Sequence, residues 1–417
     1  MATEGSWPIV SLGELVENLD SARVPVKAAD RRPGPYPYYG ASGVVDHVDG
    51  YLFDGEYLLV AEDGENLRTR KTPVAFIARG KFWVNNHAHI LRGNKRADTR
   101  YLMYALSRAD VGAYVTGSTQ PKLTQGALHR IPVPAPPLPE QRRIANTLGA
   151  LDDKIELNRR MNCTLESMAR AIFESWFVDF DPVRKKMKGG EAGPPLALAA
   201  LFPCSFEGSE LGEIPKGWEM GTLADVTTLN PESRTKATRS TLINYVDLSN
   251  TKWGRIESVT TYAGDDAPSR AQRVLRSGDT IVGTVRPGNG SYALVSDDGL
   301  TGSTGFAVLR PTNTVYAQYV YLAATAVEKI EALSRLADGG AYPAVRPEAV
   351  AATAIIRPSN GVLAAFSRVA GPLLGKLARN ERQSRNLATL RDALLPKLIS
   401  GELLVSPAKR VIPEVDA

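Results

Sequence analysis

Apolar positions between Pro139 and about Phe180 recur in steps of three and four: Ile144, Leu148, Leu151, Ile155, Asn158, Asn162, Leu165, Ala169, Ile172, Trp176. This is a heptad seam, the spacing that keeps one helical face turned toward a partner helix. Pro139 suits the first turn, where its missing amide costs nothing, and Glu140 complements the positive helix end. At about 1.5 Å per residue, roughly forty residues make a rod on the order of 60 Å long. The seam returns later at a constant offset, as Phe366, Ala370, Leu373, Leu377, Asn380, Ser384, Leu387, Arg391, Leu394, Leu398. Its polar interruption falls at the same place, Asn158 and Asn162 aligning with Asn380 and Ser384. Polar residues inside a seam fix register when they find each other. An antiparallel pair with Asn162 against Asn380 and Asn158 against Ser384 also aligns Ile155 with Leu387 and Leu165 with Leu377. Ala169 then meets Leu373 and Trp176 meets Phe366, while Leu151 meets a poor partner in Arg391. Pro396 is expected to disturb the last turns, which weakens the expectation of a layer pairing Ile144 with Leu398. Gly401 reads as the helix terminator.

The remaining periodicities are mixed. EYLLVA (56–61), PVAFIA (73–78), KFWVNN (81–86) and AHILRG (88–93) are short β-type runs broken by turn residues, and a helical period follows between Tyr101 and Val115. A proline-rich passage then leads into the long helix. After it, DPVRKKMKGGEAGPP reads as a charged, mobile excursion. From Ile214 the opening pattern repeats. WPIVSLGELVENL matches WEMGTLADVTTL, FDGEYLLV matches RSGDTIVG, HILR matches AVLR, and TGSTQPKL matches DGGAYPAV, all in order. The chain therefore reads as a tandem duplication of an α+β domain followed by a long helix. The expected boundaries are 1–137 for the first domain, 138–181 for the central helix and 182–213 for a linker. The second domain takes 214–358, its helix 359–401 and a tail 402–417.

Composition adds little to this picture. A net charge of +5 is compatible with nucleic acid but weak evidence alone. The two cysteines, Cys163 and Cys204, lack the spacing of a disulfide framework or zinc site, and no secretory signal or membrane span is legible, so a cytoplasmic protein is expected. No phosphate-binding GxxxxGK loop occurs, and GNGSYA (288–293) precedes strand-like YALVS rather than a helix, so it reads as a glycine turn. No DPPY-type methyltransferase tetrapeptide is present. His87 and His89 share a strand face without a third metal ligand, and Asp152-Asp153 reads as a solvated first-turn face. A catalytic role, a bound cofactor and a metal site are not expected.

Two divergent domains and two matched helices suit a two-part DNA target, since half-sites about one turn, roughly 34 Å, apart are read by paired domains. Candidate contacts in the first domain are Tyr38, Tyr39, Arg68, Arg70, Lys71, Asn85, Asn86, Gln120 and Lys122. In the second they are Arg234, Lys236, Arg239, Arg286, Asn289, Tyr292, Tyr342 and Arg346. Arg and Lys suit guanine and phosphate, whereas Asn and Gln suit adenine. RKKMK (184–188) reads as a charged loop or a phosphate contact.

The segments GSTQPKLT (117–124), PLPEQRRIANTLGALDDKI (137–155), NRRM (158–161), ESWFVDFDPV (174–183), GEIPKGWE (212–219) and LRDALLPKLISGEL (390–403) carry a resemblance. In these the chain resembles the specificity subunit of type I restriction–modification systems over its whole length. The resemblance implies two target-recognition domains reading the parts of a bipartite site and an antiparallel coiled coil that docks two modification (methyltransferase) subunits. Those partners bind S-adenosylmethionine and methylate adenine, while restriction subunits supply ATP- and Mg-dependent translocation and cleavage. DGGAYPAV and GPLLGKLARNE depart from the family pattern. Two other readings stay open: a specificity module of another DNA-modification or phage-defence assembly, and a coiled-coil scaffold with no DNA role.

Overall fold

The computed structural model describes residues 7–189, 196–209, 212–338, 340 and 342–405. The chain divides into two compact units, one of residues 1–157 with 383–417 and one of residues 158–382. Two helices, Leu138–Phe177 and Asn360–Ser400, contribute to both.

In the first unit six strands form one sheet, in the order Val16–Asn18, Ala88–Gly93, Phe53–Ala61, Ala75–Val84, Pro33–Gly40, Gly43–Val48. All neighbours are antiparallel except Pro33–Gly40 and Ala75–Val84, which run parallel through Tyr38–Trp83 and Tyr39–Val84. The strand around EYLLVA is covered on both sides, which explains its continuous apolar run. Leu58, Val60 and Leu91 pack with Leu102 and Leu106 of the helix Thr99–Arg108, while Leu59 and Ile90 pack with Phe53 and Phe82. Each such fully buried side chain contributes about 1.5–3 kcal/mol. Asp98 caps the helix by accepting the Arg100 and Tyr101 amides. PVAFIA and KFWVNN prove to share one strand, Ala75–Val84, which passes unbroken through Gly80 with its φ of 74°.

The second unit repeats this ladder. Thr227–Leu229, Phe306–Pro311, Thr280–Gly283 and Tyr292–Leu294 form one sheet, and Thr260–Ala263, Leu242–Val246, Leu300–Ser303 and Ala271–Leu275 form another. Ile281 pairs with Val308 as Leu59 pairs with Ile90. The parallel contact recurs between Leu242–Val246 and Leu300–Ser303.

The helices pair antiparallel within each unit. In the first, Ile144 and Leu148 share a core with Leu398 and Ile399, and Arg391 meets Asp152 at 2.7 Å. In the second, the Asn380 side-chain amide donates to Asn162 Oδ1 at 2.9 Å, Asn158 donates to the Asn380 carbonyl, and Asn162 donates to the Leu377 carbonyl. Trp176 lies 5.8 Å from Phe366 between ring centroids.

Five expectations are corrected. The helix runs unbroken through Pro372 and Pro396 to Ser400, so Leu398 is buried with Ile144 after all; tertiary packing outweighs the missing amides. Arg391 is no defect, because Asp152 accepts from it and from the Tyr104 hydroxyl, and Asp153 pairs with Arg79; the two acids are not a purely solvated face. The stretch taken for a mobile excursion opens with a helix, Asp181–Met187, held by buried Val183 and by Lys186 donating to the Ala199 and Phe202 carbonyls. Residues 190–195 of it lie outside the described residues. His87 and His89 do not share an environment: His87 is exposed beside Asp63, whereas His89 is buried beside Asp20.

Candidate nucleic-acid interface

Each unit carries a loop built on the same backbone bonds. In the first, Thr116 and Lys122 exchange both amide bonds at 2.8 Å, closing a turn over GSTQP. Gly64 N–H donates to the Pro121 carbonyl at 3.1 Å and Leu123 N–H to the Glu62 carbonyl at 2.8 Å. In the second, Asp338 and Ala344 exchange bonds at 3.2 and 2.7 Å. Arg286 N–H donates to the Pro343 carbonyl at 2.7 Å and Val345 N–H to the Thr284 carbonyl at 2.9 Å. Four hydrogen bonds thus recur at matching positions although the loop sequences differ.

The stems are anchored in buried polar groups. His89, 1% exposed, lies with one ring nitrogen 2.6 Å from Asp20 and the other 2.8 Å from the Leu123 carbonyl. Burial alone would raise the Asp20 carboxyl, yet hydrogen bonds from His89 and the Ile90 amide hold it below the usual carboxylate range. Lys122 reaches Glu62 at 3.4 Å, and Glu62 also accepts from Arg23 at 2.7 Å. In the second unit Thr284 donates from its hydroxyl to the Gly305 carbonyl.

Above the stems the two loops differ. Arg68 braces the first by donating to the Gly117 and Ser118 carbonyls, leaving Gln120 exposed. In the second, the Arg286 guanidinium sits 5.0 Å from the ring centroid of Tyr342, which is 72% exposed. Arg286 itself takes a left-handed φ of 48°, a conformation disfavoured for a side chain with a Cβ.

The proposed contacts sort into three groups. Lys71, Asn86, Gln120 and Lys122 are exposed, as are Lys236, Arg286, Asn289, Tyr342 and Arg346. Several arginines are exposed or half-buried but engaged with their own domain. Besides Arg68, Arg70 donates to the Ala109 and Ser107 carbonyls at the end of Thr99–Arg108, Arg234 donates to Ser240, and Arg239 donates to the Gly264, Ala267 and Pro268 carbonyls. The third group is corrected outright. Tyr38 is 1% exposed with its hydroxyl bonded to Val26, and Tyr39 packs between Phe76 and Phe82. Tyr292 is a core residue beside Trp253, and burial pushes its hydroxyl up. Asn85 is buried and accepts the His87 amide. Residue type and nearness to a turn suggested these four; Tyr38 and Tyr39 are neighbours on one strand and meet cover on both of its faces, and Asn85 follows the end of Ala75–Val84.

Along the helix pair Leu148, Asn158, Asn162, Trp176, Phe366, Asn380 and Leu398 are buried. Leu151, Ile155, Leu165, Leu373, Leu377, Leu387 and Leu394 are half-buried, and none of these seam positions faces open solvent. One residue escaped the sequence reading. Trp253, 54% exposed, tops the hairpin formed by Thr251–Lys252 and Arg255–Ile256 and lies over Gly290, where a Cβ would come within 2.6 Å of the indole. The Trp-Gly pair after a β-type run was its available signal.

Among the described residues no group of three or more His, Cys, Asp or Glu is placed to hold a metal. This duplicated fold, two α+β units each built on a stretch of both long helices, is that of restriction-system S subunits. The S subunit of a type I restriction–modification system from M. genitalium superposes with a TM-score of 0.60 at 16% identity, covering 98% of each chain. Residues 4–167 match the type I restriction modification DNA specificity domain. A putative type I restriction enzyme specificity subunit of Haemophilus influenzae is 39% identical over 141 residues, 34% of this chain and 36% of that protein. The MjaIX specificity subunit of Methanocaldococcus jannaschii is 23% identical over 96% of this chain and 94% of its own length. The chain is thus similar to type I restriction–modification specificity subunits, by the domain matched over residues 4–167 and by low-identity matches over most of its length.

Proposed function

We propose that this chain confers DNA sequence specificity on a type I restriction–modification complex, its first domain reading one part of an asymmetric two-part duplex target and its second domain the other. The observation that carries this reading is the recurrence of one hydrogen-bonded loop frame in both domains under unlike exposed side chains. Like frames favour like modes of docking; unlike surfaces favour different base sequences. The helix pair would dock two modification subunits, which bind S-adenosylmethionine and methylate adenine. Restriction subunits would add ATP- and Mg-dependent translocation and cleavage, all within the cytoplasm. In this arrangement the present chain binds and positions DNA and makes or breaks no bond.

The test is selection from a randomised duplex DNA library by the chain assembled with its modification subunits. A gapped motif of two unlike parts is the expected product. Binding that falls with salt and selects no motif would reduce the chain to generic DNA affinity and end this reading.

A further inference from the structure

Gln120 and Tyr342 are exposed residues that stand on a support both domains reproduce. The bonds from Gly64 to Pro121 and from Leu123 to Glu62 recur as Arg286 to Pro343 and Val345 to Thr284, and both turns are closed by a reciprocal amide pair. Two domains whose sequences have drifted this far keep a set of bonds when the segment above them must be held in one place. What the frame holds has meanwhile changed: Gln120 stands directly before Pro121 in one loop, and Tyr342 directly before Pro343 in the other.

We propose that Gln120 and Tyr342, occupying the same position at the apex of the two loops, are specificity-determining contacts, each deciding one base pair in the part of the target its own domain reads. The proposal rests on the function given above and names the residues behind it. Three observations support it. Both side chains are exposed, Tyr342 to 72%, and so open to a ligand. Each apex is touched by an arginine of its own domain, Arg68 on the Gly117 and Ser118 carbonyls and Arg286 over the Tyr342 ring. Both stems end in buried residues, Leu123 at 0% and Val345 at 9% exposure, so the apex is tied to the domain core. The chemistry differs in kind. A glutamine amide matches the paired donor and acceptor on the major-groove edge of adenine. A tyrosine ring backed by a guanidinium offers an apolar face to a thymine methyl or an unstacked base.

The experiment uses the full chain assembled with its modification subunits, in wild-type, Gln120→Ala and Tyr342→Ala forms, each passed through selection from a randomised duplex DNA library and sequenced. Gln120→Ala is expected to lower the preference at one base pair in one part of the motif by about tenfold or more, leaving the other part intact. Tyr342→Ala is expected to do the same in the opposite part. The intact part reports that each variant is folded and assembled. If both parts stay unchanged in both variants, or if both weaken together, the proposal is overturned while the two-part reading stands. A wild-type chain that selects no two-part motif overturns the underlying function and this proposal with it.

Discussion

The two domains are one topology executed with different continuity. In the first, a single strand Phe53–Ala61 and a single strand Ala75–Val84 run through the whole six-stranded sheet. In the second, their counterparts are each cut in two, Ala271–Leu275 with Thr280–Gly283 and Tyr292–Leu294 with Leu300–Ser303, and the sheet separates into two of four strands. A hairpin at Thr251–Ile256, carrying Trp253, fills the longer connection. The invariant part is the ladder beside the helices and the loop frame at its end. The lesson is that the helix-side ladder and the loop stems are fixed by packing, whereas the far strands are free to diverge.

That contrast can be broken at several points. The largest effect is expected at the aromatic cluster of the second unit, where Phe366 lies 5.0 Å from Phe177 and 5.8 Å from Trp176. Phe366→Ala should cost about 3–5 kcal/mol, read as loss of that unit's transition in denaturant unfolding. Next comes an arginine that both domains hold on the strand beside the loop frame. Arg310 grips Asp279, 1% exposed, at 2.8 Å, whereas Arg92 meets a half-exposed Glu17. Arg310→Ala, which strands a buried carboxylate, should cost about 3–5 kcal/mol, while Arg92→Ala should cost about 0–1 kcal/mol by the same measurement. Equal effects would show that the two ladders are not differently anchored.

A smaller effect is expected at the polar layer. Asn380→Leu leaves the Asn162 carbonyl oxygen without its donor and should cost about 1–3 kcal/mol. Adding Asn162→Leu should recover part of that loss in a double-mutant cycle, and strict additivity would argue against coupling through this bond. The smallest effect is on pH dependence. Hydrogen bonds from Arg276 and Arg310 hold the Glu232 carboxyl down at about 2. A carboxyl depressed on folding stabilises above its ordinary value, near 4.5, and that contribution fades as pH falls toward 2. Glu232→Gln should remove that contribution at neutral pH and flatten the acid limb of the second unit's stability curve over this window, so that variant and parent converge toward pH 2.

The seam of the long helices was the most legible feature, because a heptad repeated at constant offset specifies partner, direction and register together. Asn162 against Asn380 and Trp176 against Phe366 followed from it directly. Short strands were legible where apolar runs were continuous, as at EYLLVA. They were not where prolines intervene: PGPYPYYG is an eight-residue strand although it carries three prolines. Only the pairings of Tyr38 and Tyr39 join it to its parallel neighbour, so the missing amides cost little. The contact residues were the least legible. Tyr38 and Gln120 are both polar residues near turns, and only the fold separates the one in the core from the one at a loop apex.

Pro396 has a consequence for how the last helical turn holds together. Without an amide there, the Asp392 carbonyl has no helical donor, so this turn lacks one bond of its own ladder. It is secured from outside, by Leu398 and Ile399 in the first core and by the Trp7 indole donating to the Leu398 carbonyl at 3.3 Å. Amide hydrogen exchange at Lys397–Ser400 therefore reports on the integrity of the first unit's hydrophobic interior rather than on helix fraying, and loosening that interior should unravel this turn before the rest of the helix.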